Sequence, residues 1–354
     1  MPRGLLLAAL AALALLVRVS RLPDPMLPAV LGFGMALGIA FVWLDFGFTT
    51  AFRVLLTARD GRPLAASLVI PAIVAPVIIP LAMTGDAYSR FVAPIGVSLL
   101  VGAAMFGVGM QIANGCGSGT LVAAGQGSRR MALTLPAFAF GGVLGTLALP
   151  AALAWPSFGA IDLPDLFGTW RGLALTELLL GLCAVLLLRG ARPAPAKLRA
   201  GLLIGALAAG LFVVSGEPWG ITMGLTVAGG QALRALGWDL THAPFWASDG
   251  ARALLDAPLL AMHSALSDAG LLVGALLAAA ARGRLRFGTA IGARAALGGV
   301  LGGLLMGFGA RLSFGCNIGA FVSGAASGSL HGFVWLLAVL PGCWLGLRLR
   351  PWFG

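Results

Sequence analysis

The sequence predicts an all-α integral membrane protein with about nine to ten transmembrane helices and about four short re-entrant helices. Hydrophobic residues make up 59% of the chain and charged residues only 10%, whereas soluble domains carry about a quarter charged residues. Apolar runs recur along the whole length, and each is long enough to cross a hydrocarbon core about 30 Å thick. Several glycine-rich stretches between these runs are too polar to be complete spans. The bilayer is therefore the expected environment of a single membrane domain, residues 1–354.

The first apolar run forms an N-terminal hydrophobic segment, residues 1–25. It follows Arg3, as the core of a signal peptide would, but Arg18 and Arg21 stand where cleavage requires small residues. We therefore expect an uncleaved span or half-span. The candidate spans cover residues 4–17, 26–43, 64–84, 91–113, 131–154, 172–188, 200–215, 257–281, 295–313 and 330–347.

Basic residues orient these spans, because cytoplasmic loops collect Lys and Arg. The net charge of +11 does not indicate nucleic-acid binding, since the basic residues occur in short clusters without interleaved aromatics. All clusters fit one side of the membrane, except that Arg18 and Arg21 fall outside if the first run spans fully. The clusters are Arg53, Arg59 and Arg62; Arg129 and Arg130; Arg189, Arg192, Lys197 and Arg199; Arg282, Arg284 and Arg286; and Arg348 and Arg350.

Four glycine-rich stretches follow spans directly and are the candidate re-entrant segments. Irregular backbone at membrane depth is tolerated only where protein or a water-filled cavity satisfies its polar groups. The stretches are 45–52, 114–127, 217–230 and 314–328.

An internal repeat relates two of these stretches. Residues 106–119 align without gaps to residues 306–319, and five identities share the 200-residue offset. Five predicted spans separate Cys116 from Cys316, so the matching elements enter the membrane from opposite faces. We therefore predict two pseudo-symmetric inverted halves, residues 26–188 and 198–350, an architecture that places substrate sites near the bilayer midplane.

A weaker correspondence joins the other two stretches. Phe46-Gly47-Phe48-Thr49 matches Trp219-Gly220-Ile221-Thr222 in the order aromatic, glycine and threonine. Thr49 and Thr222 are therefore further candidate pathway residues.

The two repeated cysteines are the main candidates for function. A thiol is a weak donor with a soft, polarizable sulphur, so it can contact an anion without the desolvation cost of a fixed charge. The structural alternative is that both cysteines are small buried residues, the common fate of a free cysteine; the glycine setting and the repeat favour function. The candidate pathway residues are Asn114, Gly115, Cys116, Gly117, Ser118, Gly315, Cys316 and Asn317.

Other ionisable and thiol groups are weaker candidates. Cys183 and Cys343 lack a polar setting, and we interpret both as packing residues. Arg311, five residues before Cys316, either attracts an anion at a pore mouth or anchors the chain at the interface. No Cys-x-x-Cys pair occurs, and neither a metal site nor a cofactor is indicated.

Longer motifs around these residues resemble the YeeE/YedE sulphur-transport family. The match runs from Arg311-Leu312 through Gly315-Cys316-Asn317-Ile318-Gly319-Ala320-Phe321 to Ser329-Leu330-His331-Gly332. Further motifs extend it across nearly the whole chain: Ala51-Phe52-Arg53, Arg59-Asp60-Gly61, Asn114-Gly115-Cys116-Gly117-Ser118-Gly119, Pro218-Trp219-Gly220-Ile221-Thr222 and Leu236-Gly237-Trp238-Asp239.

The resemblance implies a multi-pass protein of the bacterial inner membrane that imports thiosulfate or a related sulphur or selenium compound. It further implies that Cys116 and Cys316 hand the anion along a narrow path, with a cytoplasmic sulphur carrier of the TusA type as a partner. One departure matters. The family commonly has a further pathway cysteine where this chain has Gly47. Either two thiols suffice, or the substrate differs, or the role differs.

Two competing functions remain at this point. One is an intramembrane thiol enzyme, a sulphurtransferase or oxidoreductase, against which the missing Cys-x-x-Cys and the lack of a partnered base argue. The other is a structural subunit or a pore for a neutral solute, in which the cysteines only pack.

Overall fold

The protein is a helical bundle in which α-helices carry nearly all of the chain. A computed structural model describes residues 3–285 and 290–353. Its α-helices are α1 Arg3–Val19, α2 Leu27–Trp43, α3 Phe48–Ala58, α4 Arg62–Ser67, α5 Val69–Ala82, α6 Val97–Ala113, α7 Gly117–Gly125, α8 Arg129–Leu153, α9 Leu163–Phe167, α10 Thr169–Leu188, α11 Pro195–Ser215, α12 Thr222–Ala235, α13 Asp249–Asp256, α14 His263–Ala281, α15 Ala293–Leu312, α16 Gly324–Ala326 and α17 Leu330–Leu349.

Shorter elements join these helices. A π-helix, Asn317–Ser323, leads into α16, and 3-10 turns occupy Leu259–Ala261 and Arg350–Phe353. Two short strands, β1 Pro94–Gly96 and β2 Ser157–Ala160, pair antiparallel.

The prediction of an all-α membrane protein is confirmed. Within the described residues, nine helical segments are long and apolar enough to cross a membrane. The shorter α1 lies against α14, and Gly4 lies beside Leu285, four residues beyond the end of that helix. The chain is therefore a multi-pass membrane protein. The nine segments are Leu27–Ala58, Arg62–Ala82, Val97–Gly125, Arg129–Leu153, Thr169–Leu188, Pro195–Ser215, His263–Ala281, Ala293–Ala326 and Leu330–Phe353.

Three predicted span boundaries differ from the structure, each for a local reason. The span expected at 91–113 starts only at Val97, because the preceding residues pair as β1. The span expected at 257–281 starts at His263, after a 3-10 turn. The span expected at 64–84 is divided at Leu68, because Pro71 has no N–H to donate to the carbonyl one turn earlier.

The two halves meet where α6 and α15 cross antiparallel. A methyl group added to Gly102 would lie 2.6 Å from the carbonyl oxygen of Gly309, and one added to Gly302 would lie 2.7 Å from that of Gly109. The two contacts are equivalent: Gly102 corresponds to Gly302, and Gly309 to Gly109, at the 200-residue offset of the repeat. A pseudo-two-fold axis therefore passes between α6 and α15, and the equivalent helices run in opposite directions, as inverted halves require.

The same relation holds for the outer neighbours of this pair. Gly342 of α17 packs on Ala104 of α6, and Gly141 of α8 packs on Leu304 of α15. The contacted residues, 104 and 304, are again separated by 200. Helices α8 and α17 are thus equivalent, and small residues let all four backbones approach closely.

The four glycine-rich stretches fold as short helical segments. They contain the starts of α3, α7 and α12 and the π-helix with α16. That each segment enters and leaves the membrane at the same face stays a prediction. The orientation of the protein in the membrane, inferred from the basic clusters, also stays a prediction. Arg286 of one such cluster lies outside the described residues.

We predict that Gly109→Ala and Gly302→Ala both destabilise the protein strongly and to a similar degree. An added methyl group would lie 2.5 Å from the Gly302 oxygen in the first variant and 2.7 Å from the Gly109 oxygen in the second. Overpacking of this kind costs about 1–3 kcal/mol. Thermal unfolding in detergent would measure it.

Gly181→Ala is the matched control. This glycine also lies inside a helix, α10, but an added methyl group meets nothing within 4 Å. Its unfolding temperature should stay the same or rise, because alanine favours helix. Equal unfolding temperatures for all three variants would contradict the proposed role of the α6–α15 crossing.

Candidate functional site

The two repeated cysteines occupy equivalent positions with nearly the same backbone conformation. Cys116 precedes α7 with φ −92° and ψ −176°, and Cys316 precedes the π-helix with φ −99° and ψ −164°. Each is the N-cap of its short helix, and each is almost completely buried, with 1% and 0% of its surface exposed. The repeat seen in the sequence is therefore also a repeat of local structure.

Backbone amides at the start of each helix point at these sulphurs. The amide of Gly119 donates to Cys116 Sγ at 3.3 Å, and the amide of Ile318 donates to Cys316 Sγ at 3.4 Å. The Ser118 hydroxyl lies 3.4 Å from Cys116 Sγ. Both thiols thus lie in a polar setting inside an apolar bundle.

Gly117 brings the two cysteine turns together. A Cβ atom placed on Gly117 would lie 3.3 Å from Cys316 Sγ and 3.7 Å from a methyl carbon of Ile221. The residue after one cysteine is therefore in contact with the other cysteine. A larger residue at position 117 would fill the space between the two turns.

A left-handed residue reverses the chain before each cysteine turn. Asn114 has φ 66° and Phe314 has φ 63°, a conformation that asparagine tolerates and that is strained for a bulky residue. The Asn114 side chain accepts a hydrogen bond from Arg53 Nη1 at 3.1 Å. Asn114 thus fixes the turn from its exposed side, away from the thiols.

Aromatic side chains join the second repeated motif to the Cys316 helix. The rings of Phe46 and Phe48 pack edge to face at 5.3 Å, and Phe48 packs on Phe321 at 6.5 Å. The Ser323 hydroxyl donates to the Trp219 carbonyl at 2.6 Å. All four glycine-rich stretches therefore converge around Cys316.

Buried polar atoms without hydrogen-bond partners mark this convergence. They include the hydroxyls of Thr49 and Thr120 and both side-chain polar atoms of Asn317. A buried polar group without a partner costs about 1–3 kcal/mol, so these groups can form hydrogen bonds with a polar ligand. Among the described residues, no group of three or more His, Cys, Asp or Glu side chains could hold a metal ion.

A cavity of about 560 Å³ reaches toward the Cys316 helix. Neither cysteine lines it, but Gly319, three residues after Cys316, does, together with Thr222 and Arg311. A Cβ atom added to Gly319 would meet nothing within 4 Å. The cavity thus ends beside the thiol of the second half.

Arg311 carries an uncompensated positive charge into this cavity. It is buried at the end of α15, with its guanidinium 4.9 Å over the Phe245 ring and Nη1 3.7 Å from Met223 Sδ. Its Nε has no hydrogen-bond partner, and no ion pair among the described residues involves it. Because Arg311 is buried and packs on Phe245, it belongs to the wall of the cavity and not to the protein surface.

Arg90, another cavity residue, is neutralised by two carboxylates. It donates to Asp162, and to Asp165 at 2.6 Å. Burial raises the pKa of Asp162 to about 6, although the Arg90 guanidinium opposes this. Burial also acts against ionisation of Asp165, but the hydrogen bond from Arg90 lowers the pKa of that carboxyl. Arg311 is therefore a positive charge of the cavity without an ion pair, and Glu217, exposed in the same lining, is a carboxylate without one among the described residues.

The structure brings most of the sequence-predicted residues together in two groups. Residues 115–118 and 315–317 form the thiol region, whereas Thr222 and Arg311 line the cavity. Thr49 follows Phe48, whose ring packs on Phe321. Asn114 turns away to Arg53. The sequence places Asp268 near the end of a predicted span and favours no role for it, whereas the structure makes it a buried carboxyl of α14. An ionisable residue inside an apolar helix often marks a pathway.

Gly47→Cys is expected to fold like the natural chain and to add one reactive thiol. Gly47 has an extended backbone (φ −167°), and a Cβ atom added there meets nothing within 4 Å. Counting maleimide labels per chain by mass spectrometry, with and without thiosulfate, would measure this thiol.

Gly107→Cys serves as its control. There a Cβ atom would lie 2.4 Å from the Val339 carbonyl oxygen, so the yield of folded protein should fall. A Gly47→Cys variant that fails to fold, or takes up no additional label, would show that the space is not open.

Comparisons with known proteins agree with this arrangement of two equivalent halves. A family model described as sulphur transport matches residues 45–199 and again residues 191–345. The chain is 34% identical over 164 residues to a probable transporter YedE of Salmonella typhimurium, and 32% identical over 164 residues to that of Escherichia coli. Each alignment covers 44% of this chain and 37% of the relative, so the chain matches little more than a third of their length. With both halves matched by its model, the chain belongs to the sulphur transport family.

Proposed function

We propose that the protein passes a small sulphur-containing anion, thiosulfate or a related sulphur or selenium compound, across the bacterial inner membrane. The observation that carries this proposal is the pair of thiols, Cys116 and Cys316, held in one conformation on two helix starts that meet at Gly117. The anion moves from the cavity past Cys316 and then past Cys116.

The chemistry of the thiol region suits such an anion. Sulphur atoms and backbone amides bind a soft anion weakly, and neither holds it by a full charge. The unpartnered groups of Thr49, Thr120 and Asn317 supply further donors. Weak contacts at several sites allow an ion both to enter and to leave a narrow path.

The cavity supplies the initial attraction. Arg311 is its uncompensated cation, and Met223 places a thioether beside it. A guanidinium binds the oxygens of an oxyanion, and a thioether accommodates its sulphur. Thr222 of the same wall adds a hydroxyl.

A cytoplasmic sulphur carrier of the TusA type is the proposed partner on the inner side. Its removal of the anion would keep the inner concentration low, so that entry continues down a gradient. The transport-family relationship supports a transporter rather than a thiol enzyme.

Replacement of both pathway cysteines, Cys116→Ala with Cys316→Ala, should lower thiosulfate uptake at least about tenfold. The reason is that both soft contacts of the narrow path are removed while the fold loses only two small side chains. Uptake of labelled thiosulfate into vesicles would measure the effect.

Cys183→Ala with Cys343→Ala is the matched control. Cys343 is equally buried and Cys183 is half-buried, but neither lies at a helix start. Uptake by this variant should equal that of the natural chain. Equal uptake by both double variants would refute the thiol path, and a covalent sulphur adduct that persists on Cys116 or Cys316 in mass spectrometry would favour the thiol enzyme.

Arg311→Gln is expected to raise the KM for uptake about tenfold with a smaller change in kcat. The substitution removes the attraction of the cavity but leaves the thiols in place. Arg311→Lys should recover part of the affinity, because it restores the charge. A fall in kcat alone, with KM unchanged, would contradict a role of Arg311 in capture.

A further inference from the structure

Asp268 is a buried carboxyl that the proposed path does not yet explain. It is the sixth residue of α14 and only 4% exposed. Neither of its carboxylate oxygens has a hydrogen-bond partner. No ion pair among the described residues involves it.

Its neighbours place it directly behind the wall of the cavity. A Cβ atom added to Gly224 of α12 would lie 2.9 Å from Asp268 Oδ2. The preceding residue, Ser267, lines the cavity, as do Thr222 and Met223 at the start of α12. Ile221, three residues before Gly224, lies beside Gly117, and a Cβ atom on Gly117 would lie 3.3 Å from Cys316 Sγ.

An ionised carboxylate at this place would have nothing to compensate it. Ionisable groups inside a membrane are expensive and are usually paired with one another or placed along a pathway. A protonated carboxyl avoids that cost, and its O–H then needs an acceptor. An oxyanion that enters from the cavity is such an acceptor, whereas a charged carboxylate would repel it.

Few other charged groups face α14. Helices α2 and α7 and the turn Leu259–Ala261 contain no ionisable side chain. Arg234 of α12 pairs with Asp256, and His263 at the start of α14 pairs with Asp24. The remaining groups are Cys316, the α7 cap Cys116, Arg18 at the end of α1, and Arg311 and Glu217 in the lining of the cavity.

We propose that Asp268 is a proton-binding site of the transport path, which holds its proton while the anion lies between the cavity and Cys316 and donates a hydrogen bond to an anion oxygen. This inference rests on the proposed function. By linkage, protonation of Asp268 and binding of the anion then favour each other.

The proton balance is simple. One proton passes from cavity water to a carboxylate oxygen of Asp268, stays on that oxygen while the anion is bound, and returns to water when the anion leaves. No bond to sulphur forms or breaks. Since only the protonated state binds well, affinity for the anion falls as the pH rises through the pKa of this carboxyl.

Binding of thiosulfate to the purified full-length chain across a range of pH tests the proposal. For the natural chain the Kd should rise with pH, by up to about tenfold per unit where the carboxyl ionises. Asp268→Asn should bind with a Kd that does not change with pH and stays within a few-fold of the natural chain's value at acidic pH, because the amide still donates. Asp268→Leu should bind weakly at every pH.

Asp256→Asn is the control, since this exposed carboxylate pairs with Arg234 far from the thiols; it should keep the natural pH dependence. The same pH dependence in Asp268→Asn and the natural chain would overturn the proposal and point to a thiol instead. Binding by the natural chain that does not vary with pH would overturn it while leaving the proposed function intact. No binding by the natural chain at any pH would instead refute the proposed function.

Infrared spectroscopy of the natural chain gives a second measurement that needs no variant to fold. Binding of thiosulfate should increase the carbonyl band of a protonated carboxylic acid. A decrease of that band on binding would contradict the inference.

Discussion

The contact on which the rest of the structure depends is the close crossing of α6 and α15 at glycine. Four glycines, at 102, 109, 302 and 309, let two backbones touch with no side chain between them. A left-handed residue, Asn114 after α6 and Phe314 after α15, then leads into each cysteine turn. The separation of the two turns is thus determined by the helix pair, which explains why both cysteines are found within one small region.

The two cysteine turns are related by symmetry in their backbones but differ in their side chains. Gly117 and Ser118 of the first half correspond to Asn317 and Ile318 of the second, and the helix that follows is an α-helix in one half and a π-helix in the other. π-helical segments are rare and frequent at functional sites. An anion that passes from one thiol to the other therefore meets two different environments, which a path with an entrance and an exit requires.

The sequence predicted the arrangement of the helices better than the details of the site. Span number, the repeat and the cysteine pair follow from hydropathy and a fixed offset, because the repeated glycines are needed wherever backbones touch. The start of α6 at Val97 was missed, because β1 pairs with β2, more than 60 residues away. The partners of Arg311 could not be predicted either, since Phe245 belongs to a distant loop that only the fold brings to α15.

The arrangement of charges fits the cost of moving an anion through a membrane. Each charge moved against a membrane potential costs about 2.3 kcal/mol per 100 mV, so a dianion such as thiosulfate costs about twice that to enter a negative interior. A strongly cationic site at the centre of the path would bind the anion tightly and slow its release. The described structure instead places Arg311, a cation without an ion pair, in the cavity wall and soft or neutral groups beyond it. Thiols, amides and a protonated carboxyl can contact an anion in turn without holding it by a full charge. A protonated Asp268 behind the cavity wall would add a neutral donor to this series, whereas an ionised one would repel the anion.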